Sequence, residues 1–377
     1  MASLYDRLKS AQPLSPPRRP QAQGGCLVET RVLPLSYVPD ADSLKQALRF
    51  LAPALDSDLS MEDFLFLDTE TTGLSRGAGT LAFLVGYGQV QGCELRVTQV
   101  LMRDYPQEKE LLTDLLERLD KARCLVTYNG ASFDVPLLQG RLTMNRLRDG
   151  LTNRAHLDLL HAARQVFKMR LGRCPLTRLE EMVFGLKREG DLPGAEIPAR
   201  YFAFLDSQDE GLLRDILDHN RQDIHTLAAL LSHLLSLHSD PLASPHPMDL
   251  YSLGRAYERQ GHQPRAIACY RACGDQAVRG MARLRMAELY RKQRLDQEAA
   301  GQYEEMLRGG MASGRLYISL AKIYEHRFRD PARALEIARQ GMLYCSQRMG
   351  TDARLDKDFQ DLEYRCLRLI RKVKNSV

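Results

Sequence analysis

The sequence predicts an α/β domain with a mixed central sheet, followed by an all-α domain of helical repeats. Short apolar runs with strand character alternate with a helical pattern between residues 64 and 128. After residue 130, apolar residues recur at helical spacing. Three segments in the last third of the chain then align with spacings of 33 and 34 residues.

Length and charge narrow the class of protein. A chain of 377 residues is too long for one ordinary domain. Its net charge of +5 is uneven, since residues 241–377 hold 25 Lys or Arg and 16 Asp or Glu, whereas residues 1–240 hold 28 and 32. A denser basic patch at 139–178 has nine Lys or Arg and two Asp. Such a patch suits a phosphate backbone, and a solvated face is the alternative.

Two breaks in composition set the domain limits. Residues 1–25 end in the run PLSPPRRPQAQGG, which we interpret as a flexible leader. The run SDPLASPHP carries three prolines, so we place a linker at 239–247, after an α/β domain at 26–238. The sequence has no membrane-length apolar run and no signal-peptide pattern, and its eight scattered cysteines suit reduced thiols. We therefore expect a cytoplasmic protein without membrane contact.

The elements of the α/β domain follow from periodicity. The run FLFL at 64–67 is predicted to be a buried strand, and the runs at 80–90 and 94–102 form a hairpin across a tight turn. A helix at 106–120 precedes a strand at 124–128. Further helices are predicted at 132–143, 158–168, 176–184 and 209–237. This order of elements is expected of an RNase H-like fold.

The helical repeats begin after the linker. Each aligned segment carries one tyrosine and one small residue at a helix crossing point: Tyr257, Tyr290 and Tyr324, with Ala266, Ala299 and Ala334. The pattern resembles tetratricopeptide (TPR) repeats, which we place at 248–345, with a capping helix at 346–377. For the individual tyrosines and alanines, helical-hairpin packing without a ligand is the alternative.

Two carboxylates directly follow the buried strand at 64–67. Asp68 and Glu70 stand two residues apart, and side chains at i and i+2 of a strand point to the same face. Two anions side by side in a partly buried site are unfavourable unless a cation joins them. A divalent metal is the obvious cation, and a capped or solvated turn is the alternative.

Two further acidic positions favour the metal. Asp134 lies in YNGASFD, at the start of a helix beyond the strand at 124–128. Asp223 lies in HNRQD, inside the predicted helix at 209–237. An RNase H-like sheet brings these elements together, and oxygen ligands without a thiolate favour Mg²⁺ or Mn²⁺.

Together, the segments FLDTETTGL, NGASFD and HNRQD resemble the three motifs of the DEDD (DnaQ-like) 3′–5′ exonuclease superfamily. The segments GAGTLAFLVGYG and HLDLL and the appended repeats more narrowly resemble the YprB-like RNase H-domain proteins. The first likeness covers about residues 62–237, and the second covers nearly the whole chain. The resemblance implies a 3′–5′ exonuclease with a two-metal-ion mechanism, whose two ions are bound by Asp68, Glu70, Asp134 and Asp223.

The same resemblance guides the choice of a general base. Related enzymes place a His five residues, or a Tyr four residues, before the last Asp. Here Asp218 stands five residues before Asp223, and His219 stands four residues before it on the same helix face. An imidazole could take a proton from the attacking water, so His219 is the candidate base. A surface or packing histidine is the alternative.

Residues next to the acids are candidates for substrate contacts. Four of them would meet the terminal nucleotide: Thr71, Thr72, Gly73 and Leu74. Leu74 would act as an apolar wedge against the base. Asn129 and Ser132 would contact a phosphate or serve as turn residues. Asp158 is expected to cap a helix.

We therefore expect a metal-dependent 3′–5′ exonuclease of nucleic acid, with DNA favoured over RNA because the YprB-like resemblance implies DNA repair. One alternative is a weakly active or inactive nuclease fold whose TPR surface recruits a protein partner such as a helicase. Another is an endonuclease of RNA–DNA hybrids, which fits the motif spacing less well. The basic segments predict that binding weakens steeply with salt.

Overall fold

The computed structural model describes residues 24–56, 58–73, 79–188, 190–274 and 276–375. The predicted leader at 1–25 lies almost wholly outside these residues. The chain divides into two compact units, one running up to Arg164 and including Leu171–Ser239, the other formed by Gln165–Arg170 and the chain from Asp240 onward. In the described part of the chain, no helix combines the length and apolar character that crossing a bilayer requires.

One mixed sheet forms the centre of the first unit. Its strands within the described residues are β1 (Leu27–Pro34), β2 (Phe64–Thr71), β3 (Ala82–Gln91), β4 (Glu94–Leu101), β5 (Cys124–Thr127) and β6 (Ala155–Asp158). Their spatial order is β1-β4-β3-β2-β5-β6. The pairs from β1 to β2 are antiparallel, and β5 runs parallel to both β2 and β6. The α/β class with a mixed sheet is therefore confirmed.

The central position of β2 explains its apolar start. Residues 64–67 are buried on both faces because β3 and β5 flank the strand and helices cover the sheet. The predicted hairpin is the pair β3–β4, in which Gln91 lies opposite Glu94 and two residues form the turn. The first of these, Gly92, has φ of +60°, a left-handed conformation that glycine adopts without a steric penalty.

The described helices up to residue 239 are α1 (Ala41–Leu51), α2 (Glu108–Lys121), α3 (Asp134–Met144), α4 (Leu159–Leu171, of which Gln165–Arg170 belongs to the second unit), α5 (Leu176–Leu179), α6 (Ile197–Ser207) and α7 (Gly211–Ser239). Of these, α2, α6 and α7 pack on the sheet. A π-helical turn, Glu180–Phe184, continues α5. The 29-residue helix α7 packs across β2, β3 and β4 and also contacts α1. The rings of Phe83 and Tyr201 stack at 3.8 Å in the core between β3 and α6.

Among the described elements, β1, α1 and α6 have no counterpart in the sequence predictions, and β6 is indicated only by the strand-to-helix junction at Asp158. Strand β1, with the sequence LVETRVLP, lies at the edge of the sheet and is largely exposed, so it lacks a continuous apolar run. Strand β6 has four residues, of which Leu157 alone is buried. Exposure at a sheet edge thus removed the signal on which strand prediction depends.

The second unit consists mainly of α-helices. The described residues form α8 (Pro247–Arg259), α9 (Gln263–Ala272), α10 (Gln276–Lys292), α11 (Asp296–Arg308), α12 (Gly314–His326), α13 (Pro331–Met349) and α14 (Lys357–Lys374). Consecutive helices pack as α8 with α9, α10 with α11, and α12 with α13, and α14 packs on α13. Ala266, Ala299 and Ala334 are fully buried at these contacts. A helical region is confirmed, whereas the TPR assignment stays a prediction.

Candidate active site

Asp68 and Glu70 lie at the carboxyl-terminal end of β2, next to a change in register between Glu70 and Thr71 in the β2–β3 pairing. Asn220 of α7 donates a hydrogen bond from Nδ2 to Oδ2 of Asp68 at 2.9 Å. Gln99 of β4 donates to Oδ1 of Asn220 at 2.9 Å, which fixes the orientation of the amide. The network therefore holds one carboxylate oxygen of Asp68 in place.

Gly86 leaves the space that Asn220 needs. It lies opposite Asp68 in the β2–β3 ladder. A Cβ atom at position 86 would lie 2.1 Å from Oδ1 of Asn220, a distance that no real pair of such atoms adopts. The close approach of α7 to β3 thus depends on the absence of a side chain at this point.

Asp134 is the first residue of α3 and is 7% exposed. The hydroxyl of Thr69, between the two acids of β2, donates a hydrogen bond to Oδ1 of Asp134. Burial raises the pKa of Asp134 to about 6, against the lowering effect of the Thr69 hydrogen bond, and the negative charge of Asp158 adds to the rise. The strand and the helix that carry the acids are therefore joined directly.

Asp223 lies in the middle of α7, and the guanidinium of Arg188 donates to its Oδ1 atom. Arg188 also donates to both carboxylate oxygens of Glu180, at 2.5 and 2.8 Å. Burial raises the pKa of Asp223, whereas the positive charges of Arg188 and His219 oppose that rise. The last predicted metal ligand is thus bound to an arginine in this structure.

His219 lies one helical turn before Asp223. Its Nδ1 atom is 2.7 Å from Oδ1 of Asp191, and because a carboxylate only accepts, the ring proton belongs on Nδ1. Its Nε2 atom is 3.7 Å from Oδ2 of Asp223. The second histidine of the helix, His225, contacts the carbonyl oxygen of Pro34 instead.

The carboxylates raise one another's pKa. For Asp68, burial is the largest cause, followed by the charges of Asp223, Glu70 and Asp134, and the pKa is raised well above its ordinary value. Burial also raises the pKa of Glu70 well above its ordinary value, and Asp223 and Asp134 add to the rise. The charges of Asp134 and Asp223 thus act on both acids of β2, which indicates negative potential at the end of this strand.

The donor set suits a hard divalent cation because it consists of carboxylate oxygens without sulfur. In the described part of the chain, however, no group of three His, Cys, Asp or Glu side chains is arranged to hold a metal. Three of the predicted ligands have other side-chain partners, Asp68 with Asn220, Asp134 with Thr69 and Asp223 with Arg188. The residues fit such an ion by chemistry, and Asp223 would have to exchange its partner to bind it.

A model of a known protein family matches the part of the chain that carries the four acids. The model of the RNase H superfamily (RNase_H_2) matches residues 65–235, which contain all four acids. The uncharacterized protein YprB of Bacillus subtilis (strain 168) is 32% identical over 318 residues, covering 82% of this chain and 75% of that protein. The chain belongs to the YprB family.

The match of this YprB-family protein to the RNase H superfamily indicates a nuclease, and a nuclease binds nucleic acid. Nucleases of this superfamily generally use divalent metals. Among solved structures, the family B DNA polymerase from the hyperthermophilic archaeon Pyrobaculum calidifontis is similar over 52% of this chain, with 14% identity and a TM-score of 0.36. The chain spans 29% of that polymerase, and the likeness is too low to carry an argument.

The predicted substrate residues of this YprB-family chain lie at two turns. The Thr71 hydroxyl donates to the carbonyl oxygen of Gly73 at 2.8 Å, and the Thr72 hydroxyl accepts from the amide of Leu81 at 3.0 Å. Both threonines therefore shape the turn after β2. Leu74, the predicted wedge, lies outside the described residues.

Asn129 and Ser132 lie in the turn between β5 and α3. Asn129 has φ of +64°, and its carbonyl oxygen accepts from the Ser132 amide at 3.1 Å. Asp158 holds this turn, since its carboxylate accepts from the amides of Asn129 and Ala131, as well as from Leu160 in the first turn of α4. The expected helix cap thus also anchors the loop before Asp134.

Sequence reasoning missed several residues of the site in this YprB-family chain: Gly86, Glu180, Arg188, Asp191 and Asn220. Asn220 alone had a local signal, because it lies three residues before Asp223 on a predicted helix. The neighbourhood of His219 also includes a cavity of about 420 Å³, whose lining includes Arg188, Asp191 and Gln222.

Proposed function

We propose that this chain is a metal-dependent 3′–5′ exonuclease that hydrolyses phosphodiester bonds of nucleic acid, with DNA as the preferred substrate. The observation that carries the proposal is the position of Asp68 and Glu70 at the end of β2, where the charges of Asp134 on α3 and Asp223 on α7 raise the pKa of both carboxyls. Membership in the RNase H superfamily supports the reaction class.

The four carboxylates would hold two Mg²⁺ or Mn²⁺ ions. When bound, these ions supply Lewis-acid stabilisation of the phosphodiester and lower the pKa of water. Asn220 fixes one oxygen of Asp68, and Thr69 fixes one oxygen of Asp134. The chain's contribution to binding would therefore be two held carboxylates, completed by Glu70 and by Asp223 once Asp223 leaves Arg188.

His219 is the proposed general base. Asp191 accepts a hydrogen bond from the protonated Nδ1 atom of His219. The Nε2 atom, which lies on the side of Asp223, therefore keeps its lone pair. A water molecule bound between Nε2 and the scissile phosphate would lose its proton to this nitrogen as it attacks. The turn formed by Thr71, Thr72 and Gly73, with the following Leu74, would receive the terminal nucleotide, and the turn at Asn129 and Ser132 the adjacent phosphate.

A 3′-labelled single-stranded DNA tests the proposal in the presence of Mn²⁺. We expect mononucleotide products with the wild-type protein and a loss of at least about a hundredfold with Asp68→Asn, which keeps the size of the side chain. Asp218→Asn is the matched control, because Asp218 lies on α7 and pairs only with Arg221 among the described residues. Equal degradation by the wild type and Asp68→Asn would reject the proposal, and oligomeric products would replace it by an endonuclease.

A second candidate function is the recruitment of a protein partner, plausibly a helicase, by the helical unit. It is favoured by three large apolar side chains that are exposed on α13 and α14: Leu343 at 58%, Tyr364 at 67% and Leu367 at 59%. A photo-crosslinking residue at position 364 of the full chain tests it. A specific adduct that disappears on Leu367→Glu, while nuclease activity is unchanged, is the expected result.

A further inference from the structure

Arg188 lies at the centre of an ionic network inside the first unit. Its Nε and Nη2 atoms donate to Glu180, its Nη1 atom lies 3.1 Å from Oδ2 of Asp191, and Nη2 also donates to Asp223. The side chain is 10% exposed. One guanidinium thus neutralises parts of three carboxylates.

Glu180 fixes the guanidinium through its Nε and Nη2 atoms. It is fully buried in the π-helical turn and also accepts hydrogen bonds from the Thr226 hydroxyl and, at 3.2 Å, from the Gln222 amide. Both of these donors lie on α7, the helix that carries Asp223. The bidentate pair therefore keeps Arg188 beside α7 independently of its contact with Asp223.

Arg188 donates one hydrogen bond to Asp223, whereas it donates two to Glu180. Asp223 is one of the four carboxylates assigned to the divalent cations, and a cation would compete with the guanidinium for its Oδ1 atom. A fixed positive charge at hydrogen-bond distance also opposes the arrival of a second one. Arg188 and a divalent ion are therefore alternatives at this carboxylate.

We propose that Arg188 is a resident competitor of the divalent cation: it holds Asp223 in the cation-free protein and releases it when the ion binds, while it stays anchored to Glu180. The inference rests on the proposed function, because it takes Asp223 as a metal ligand. Arg188 would then set the cation concentration at which the nuclease is assembled.

Manganese affinity of the full-length protein tests the competition, measured from the electron paramagnetic resonance signal of free Mn²⁺. Arg188→Met combined with Glu180→Gln removes the guanidinium without leaving the buried carboxylate of Glu180 unpaired. Comparison with Glu180→Gln alone isolates the effect of Arg188. We expect the double variant to bind Mn²⁺ at least about fivefold more tightly than Glu180→Gln. Arg200→Gln is the charge control, since Arg200 pairs with the exposed Asp215 in the same unit.

A second measurement uses the wild-type protein and does not depend on a variant that folds. The side-chain ¹H–¹⁵N resonances of Arg188 are followed during a Mg²⁺ titration. We expect the Nη resonances to shift with site occupancy while the Nε resonance, held by Glu180, keeps its position. Nη resonances that do not change at saturating Mg²⁺ would overturn the inference.

The outcomes separate the two proposals. If the wild type binds Mn²⁺ and Asp68→Asn does not, the metal site stands. An affinity of the double variant equal to or weaker than that of Glu180→Gln then overturns the competition alone. If the wild type binds no Mn²⁺, the metal site of the proposed function and the inference fall together.

Discussion

The side-chain amide of Asn220 lies 2.9 Å from Oδ2 of Asp68 and connects the middle of α7 to the end of β2. An acid of the strand is therefore positioned by a neutral residue of the helix. Asn220 can fill this role because Gly86 on β3 has no side chain and Gln99 on β4 supplies a donor to its oxygen. Three strands of the sheet thus take part in placing one carboxylate.

Gly86→Ala is expected to destabilise the first unit by about 1 to 3 kcal/mol, because the new methyl group would overlap Asn220. Urea unfolding followed by circular dichroism measures the change. Gly140→Ala is the matched control, since position 140 on α3 has open space for a Cβ atom. There the helix should gain about 0.5 to 1 kcal/mol. The same sign for both substitutions would contradict the role of Gly86.

The stability of the cation-free protein should fall as pH rises from about 4 to about 6 and beyond. Asp134 has a pKa of about 6 in the folded state against 3.8 ordinarily, so the folded state binds the proton more tightly. Its contribution is present in full below the unfolded pKa and is lost as pH rises through the folded pKa. Asp134 alone corresponds to about 1 to 3 kcal/mol, and the raised pKa values of Asp68 and Glu70 extend the fall upward.

Thermal unfolding at a series of pH values, with a chelator and then with Mg²⁺, measures this dependence. Asp134→Asn should reduce the fall, and bound Mg²⁺ should reverse its direction, because the cation favours the ionised carboxylates. Equal changes in stability between pH 4 and 6 for the wild type and Asp134→Asn in the chelator would contradict the electrostatics of the site, because acids elsewhere whose pKa is lowered contribute the same slope to both.

Glu180→Gln is expected to destabilise the protein by about 3 kcal/mol, because it removes the charge that compensates the largely buried Arg188. The exposed pair of Arg200 and Asp215 offers a contrast. Asp215→Asn should change the free energy of unfolding by less than about 1 kcal/mol. Chemical denaturation of both variants gives the two values, and similar losses would show that burial does not govern the Glu180 pair.

His219→Gln is expected to lower the rate of hydrolysis at saturating substrate by about a hundredfold or more, since it removes the proposed base. Asp191→Asn should lower the same rate less, because the imidazole remains but loses the carboxylate that orients it. Both variants should bind single-stranded DNA as the wild type does. His225→Gln, on the same helix, is the control, and it should leave the rate unchanged because His225 contacts Pro34. An undiminished rate for His219→Gln would assign the base elsewhere.

The fold class was predictable because the apolar signal is strong where burial is complete. Residues 64–67 are buried on both faces and produce an unbroken apolar run, whereas β1 at the sheet edge exposes most of its side chains. The positions of Asp68 and Glu70 followed from strand periodicity, and the shared helix face of His219 and Asp223 followed from helix periodicity. Spacing along the sequence was therefore enough to indicate these four residues.

Arg188 and Asp191 were beyond such reasoning, since they lie in the segment between the π-helical turn and α6, where no period relates one side chain to the next. Their contacts with Asp223 and His219 bridge 35 and 28 residues of sequence. Gly86 was hidden for a related reason, because its importance depends on a helix more than a hundred positions later. Contacts of this kind arise only once the sheet has formed.

Helix α7 carries His219, Asn220 and Asp223 within a little more than one turn while it packs across three strands. Because each residue of an α-helix is rotated by about 100° from the one before, inserting a single residue just after Asp223 would rotate all three groups together relative to the rest of the helix. Loops elsewhere in the unit can change in length without this result. One insertion of this kind would therefore displace His219, Asn220 and Asp223 at the same time.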